Sequence, residues 1–103
     1  MADKPVTIDI RDGELTYDFP KRRLSLAEKD TISWTCSGRP FTIQFVGISP
    51  LVMGEIRAFD HTSQVSVRVD AQQGTYAYAC AVCDIAANEV YLDAACPAII
   101  IQR

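Results

Sequence analysis

Four cysteines, Cys36, Cys80, Cys83 and Cys96, are the residues of this 103-residue chain whose type and spacing point most directly to chemistry. Cys80-Ala-Val-Cys83 sets two thiols three positions apart, a common half of a thiolate metal site; soft sulfur favours zinc, cuprous copper or an iron–sulfur cluster. Two Cys-x-x-Cys pairs would make the stronger motif, and here one pair is joined by two single cysteines. The same spacing serves thiol–disulfide exchange, but its usual setting is the N-terminus of a helix, where one thiol's pKa is lowered. Disulfides are a further reading, with three pairings open to four cysteines, in an oxidising compartment. So are four reduced thiols packed as small hydrophobes. His61 is the sole histidine and follows Asp60, which could orient it as a general base. No nucleophile accompanies the pair, so an exposed turn residue is the simpler reading. With no catalytic constellation, the expectation is a non-enzyme.

The elements that must position these thiols read as strands. Val6–Ile10 alternates apolar and polar residues, and Arg11–Gly13 supplies a turn before ELTYDF. RLSLAEKDTISW puts Leu24, Leu26, Ile32 and Trp34 at even spacing around a charged turn near Glu28–Asp30. After a Gly-Arg-Pro loop, FTIQFVGI carries Phe41, Ile43 and Phe45 on one face. QVSVRVD has the clearest two-residue period and predicts Val65, Val67 and Val69 inward. Gly74 opens TYAYAC, with Tyr76, Tyr78 and Cys80 on one face, and AIIIQR forms the last strand. Trp34, Phe41, Phe45, Tyr76 and Tyr78 are the expected aromatic core. PLVMGEIRAF reads as a turn of helix or an irregular strand. Cys83–Cys96 reads as a loop, a short helix, or a loop with a strand at Val90–Leu92; its Asp84, Glu89 and Asp93 could assist a cation or solvate the loop. Seven or eight short strands predict one all-β sandwich domain over residues 1–103.

Composition narrows the partners. With 49% hydrophobic and 22% charged residues the chain belongs to the globular class. A net charge of -3 gives no broad footprint for nucleic acid, and Lys21-Arg22-Arg23 reads as a solvated turn. No run approaches the roughly 18 apolar residues of a membrane span. The start, MADKPVTID, lacks the apolar stretch of a secretory signal. It points to the cytoplasm, or to the periplasm if a leader has been removed.

Three stretches together resemble the cupredoxins, Greek-key β-sandwiches that house blue-copper sites. DTISWTCSGRPFTIQF is similar to their strand–loop–strand, in which Asp-x-Ile/Val-x-Trp/Phe leads through Gly-x-Pro into a copper-ligand strand. GTYAYAC is similar to Gly-x-Tyr-x-Phe/Tyr-x-Cys, whose Cys is the copper thiolate, and PAIII resembles the closing strand. The resemblance covers nearly the whole chain in the same order and implies the Greek-key sandwich. The copper ligands do not follow. A blue site takes two imidazoles, a thiolate and a weak axial ligand. Phe41 stands where the first histidine would be, Cys83 stands at the second, and no Met follows as axial ligand. What the resemblance implies instead is position: Cys36 enters the Gly-Arg-Pro loop, Cys80 occupies the thiolate place, and Cys96 begins the final strand. All four thiols would then share one pole.

The resulting expectation is a small non-enzymatic, cupredoxin-like binding protein without a type 1 copper site. Its thiols Cys36, Cys80, Cys83 and Cys96 would take a soft metal ion, zinc or cuprous copper. A metal-free interaction or structural domain is the main alternative, and a thiol–disulfide redox protein the next. Electron transfer is not implied where the copper ligands are missing.

Overall fold

The computed structural model describes residues 2–93 and 96–103. Met1 therefore lies outside it, as do Ala94 and Ala95 of the segment expected as loop, helix or strand. Among the described residues the chain is all β: β1 (Asp3–Arg11), β2 (Glu14–Tyr17), β3 (Lys21–Ser25), β4 (Thr31–Phe45), β5 (Glu55–His61), β6 (Val65–Ser66), β7 (Gly74–Asp84), β8 (Glu89–Leu92) and β9 (Ala98–Gln102). They form one mixed sheet in the order β2-β1-β4-β7-β9-β3, with β5 and β6 also on β4 and β8 on β7. The β1–β4 and β3–β9 pairs are parallel, and the others antiparallel. The β1–β2 hairpin closes on Asp12-Gly13, whose φ values of 53° and 76° suit the primed turns that match strand twist.

The sheet curls because β4 bends. The Trp34 and Phe45 rings lie 5.6 and 5.7 Å from the same Tyr78 ring, all three edge-on. Eleven residues of straight strand would span about 36 Å, whereas two rings touching one tyrosine are within about 11 Å of each other. β4 therefore folds across the core, and its bulge marks the place. Thr35 pairs with His61 and Pro40 with Phe59, so four residues of β4 face Asp60 alone. Gly38 takes a left-handed φ of 67° there, and its N–H donates to Asp60 Oδ1 at 2.8 Å. Gly-Arg-Pro is thus a bulge inside one 15-residue strand rather than a loop between two. β5 runs beside both halves and keeps them in one ladder.

The interior fills from both sides of the curl. Ile32, Trp34 and Cys36 precede the bulge; Phe41, Ile43 and Phe45 follow it; Tyr78, Cys80 and Val82 come from β7. Phe41, Phe45, Trp34 and Tyr78 are buried as expected, and Tyr76 packs against the core while partly exposed. Two expectations change. QVSVRVD yields only the two-residue β6: Val65 is buried, Val67 is half-buried and Val69 is fully exposed. The reason is that Pro50–Val52 captures the following backbone. Leu51 bridges Val67, Pro50 O accepts Arg68 N–H, and the chain then turns with Ala71 N–H on Arg68 O. PLVMGEIRAF is accordingly a tethered loop up to Gly54, with β5 starting at Glu55.

Candidate functional site

β7 runs on through both cysteines of Cys80-Ala-Val-Cys83 to Asp84. Side chains alternate along a strand, so residues an odd number apart point to opposite faces. Cys80 is buried in the core with Tyr78 and Val82, whereas Cys83 is half-buried on the outer face. Cys36 is fully buried at the bulge of β4. Cys96 is exposed just before β9 with a φ of 50°, its N–H donating to Asp93 Oδ2 at 2.9 Å. All four are free thiols. The structure thus brings Cys36 and Cys80 into one core and leaves Cys83 and Cys96 outside it. Among the described residues no group of three or more His, Cys, Asp or Glu side chains is placed to share a metal ion. The physical reason is strand length: three residues more of β7 turn a shared pole into two faces.

Burial sets the chemistry of the inner thiols. It pushes Cys80 up to about 12, helped by the neighbouring Cys36 and opposed by the Tyr17 hydroxyl. It raises Cys36 as well, with Arg39 opposing. A thiol at that pKa is about one part in 100,000 thiolate at neutral pH, a poor metal ligand and a poor nucleophile. The tyrosines alongside are raised too. Tyr17 is raised first by burial and then by its neighbours Cys80 and Asp93. Tyr78 responds first to burial, opposed by Trp34, whose Nε1–H donates to Tyr78 Oη at 3.2 Å. The donor set does not fit a blue-copper ion. Phe41 is buried where the resemblance puts the first histidine, and Cys83 faces away from Cys80. His61 ends β5 beside Thr35, exposed, with Nδ1 3.0 Å from Asp60 Oδ2. Among the described residues no nucleophile is bonded to it.

The outer face of β5, β4, β7 and β8 is what sequence reasoning missed. Register sets Phe59 opposite Pro40 and Cys83 opposite Val90; in the next row Arg57, Thr42, Ala81 and Leu92 face one another in turn. Phe59 is 61% exposed, Val90 64% and Leu92 74%. The same face carries a shallow groove of about 320 Å³, with Pro40, Thr42, Arg57, Ala81, Cys83 and Val90 in its lining. Arg57, in the lining, pairs with Glu55 at 3.3 Å, and Arg39 pairs with Asp84 at 3.7 Å. One signal is present in EIRAFDH, where Ile56 and Ala58 turn inward and the apolar Phe59 takes an outward position. Among the described residues no helix is long and apolar enough to cross a membrane. Compared with known families and with curated proteins, the chain matches no family model and no curated protein.

Proposed function

We propose that this chain is a non-enzymatic, cupredoxin-like Greek-key sandwich without a blue-copper site, working as a protein-interaction domain through the outer face of β5, β4, β7 and β8. The observation that carries this reading is the exposure of Phe59, Val90 and Leu92 on the face that also bears the groove lined by Cys83 and Val90. The fold does not need these side chains outside: core positions on the same strands are filled by Ile56, Cys80 and Val82. Large apolar side chains left exposed together beside a groove mark a contact site. The soft-metal role expected for Cys36, Cys80, Cys83 and Cys96 draws no support from thiols spread over two faces, two of them held protonated.

A photo-crosslinking residue placed at position 59 or 90 in the intact chain tests the reading in cells. Light-dependent adducts of discrete mass are expected from both positions, and none from position 23 on β3. Absence of adducts from 59 and 90, or equal adducts from 23, would refute it.

A further inference from the structure

We infer that residues 46–54, which connect β4 to β5, form a membrane-docking loop that seats its apolar side chains in the surface of a lipid bilayer. This site is separate from the contact face of β5, β4, β7 and β8 and does not rest on it.

The β4–β5 ladder ends at Gln44 opposite Glu55, a hairpin that about two to five residues could close. The chain makes a longer excursion instead, and no charged residue occurs between Arg39 and Glu55. Val46 and Ile48 are each 74% exposed, Val52 61% and Met53 44%. Four of the ten large apolar side chains left exposed among the described residues thus fall within one short loop. They are held outside by an anchored backbone. Pro50 and Leu51, between them, are buried and dock the loop. Val46 N–H donates to Ala77 O at 3.1 Å, Val52 N–H to Ser66 O at 3.0 Å, and Arg68 N–H to Pro50 O at 2.8 Å.

What the loop presents selects lipid over protein. Protein interfaces carry about one hydrogen bond per 100–200 Å² and anchor on Trp, Tyr and Arg, with Val, Leu and Ser under-represented. Residues 46–54 hold no Trp, Tyr or Arg, and Ser49 is their sole polar side chain. Its hydroxyl is used within the loop, donating to Met53 O at 2.7 Å and accepting the Leu51 N–H at 3.1 Å. The exposed side chains are aliphatic or thioether. Such groups gain from leaving water for any apolar medium, because the hydrophobic effect has no direction. Burial about 5–10 Å into the boundary between headgroups and acyl chains supplies that medium. The charges at the base of the loop cancel: Glu55 pairs with Arg57 at 3.3 Å and Arg68 with Asp70 at 3.8 Å. Docking is therefore apolar and makes no demand for anionic headgroups.

The test is co-sedimentation of the full chain with phosphatidylcholine vesicles and with vesicles of phosphatidylcholine and anionic phosphatidylglycerol. Binding to both is expected, within about threefold of each other and little changed by salt between about 0.05 and 0.5 M, because apolar burial is not screened. Ile48→Asp and Val52→Asp are each expected to weaken it about tenfold or more, since a charge replaces an inserted apolar group. Ile85→Asp makes the same change at a 69% exposed side chain in the turn between β7 and β8, and is expected to bind as wild type does. All three positions are exposed, and circular dichroism checks that the variants keep the fold. A chain that binds neither vesicle overturns the inference, as does binding that both loop variants leave intact. Binding confined to the anionic vesicles and lost in salt overturns it too, since charge would then be doing the work. A photo-crosslink from position 48 to another protein, in a chain that ignores vesicles, gives the loop to a protein partner and likewise overturns it.

Discussion

Tyr78→Phe is the sharpest probe of how the bent β4 is held. The change removes one oxygen and keeps the ring, so the edge-on contacts with Tyr17, Trp34 and Phe45 at 6.3, 5.6 and 5.7 Å survive. What it leaves behind is the Trp34 Nε1–H, fully buried and deprived of the acceptor it has at 3.2 Å. A buried donor left unmet costs about 1–3 kcal/mol, more than the net worth of an ordinary hydrogen bond. For a domain of this size each kcal/mol moves Tm by about 4–8 °C, so a fall of about 5–20 °C is expected in thermal unfolding followed by circular dichroism. Trp34→Phe in the same background separates the orphaned donor from other effects. With both partners gone no donor is stranded, so the double variant is expected to be about 1 kcal/mol or more better than the sum of the singles. A Tyr78→Phe protein within about 0.5 kcal/mol of wild type, or an additive cycle, would refute the idea that this bond pins the two halves of β4 together.

Stability is expected to fall at alkaline pH. The unfolded Cys80 thiol deprotonates near the ordinary thiol value of 9.0, while the folded one holds its proton to about 12, so its contribution is whole below pH 9 and lost as pH rises through 12. Urea unfolding at a series of pH values checks this, and Cys80→Ala is expected to flatten the curve between about 9 and 10, below the range where tyrosines join the titration; an unchanged slope would count against it. Alkylation mapped by mass spectrometry should mark Cys83 and Cys96 under native conditions and spare Cys36 and Cys80 until the chain unfolds. Early labelling of Cys80 would contradict the facing assigned to it.

The all-β class and most of the core were legible because strand alternation and burial are the same information. Trp34, Phe41, Phe45 and Tyr78 sit at inward positions of strands the period predicts. The Asp12-Gly13 turn was legible from its dipeptide alone. What escaped depended on distant partners. Gly38 and Pro40 look like a loop locally, and only β5 alongside makes them a bulge in a single strand. Val69 fits its alternating pattern perfectly yet is exposed, because Pro50–Val52 removes the chain from β4 first. For the thiols the deciding variable was where β7 ends. With the strand stopping at Cys80 the two cysteines share a pole, and with it running to Asp84 they part to opposite faces. Val90 and Leu92 alternate as core residues would, so their outward placement had no local signal.

The order of the sheet also dictates an order of events in synthesis. β9 lies between β7 and β3, paired parallel with one and antiparallel with the other. β3 is made early, but its partner consists of residues 98–102, more than seventy positions later. A nascent chain leaving the ribosome therefore carries Leu24 on a strand without a ladder until Ile99 and Ile101 emerge to complete its burial. Such separations make pairing slow and leave apolar strand surface waiting for cover. The cover that protects β3 against aggregation arrives only with β9.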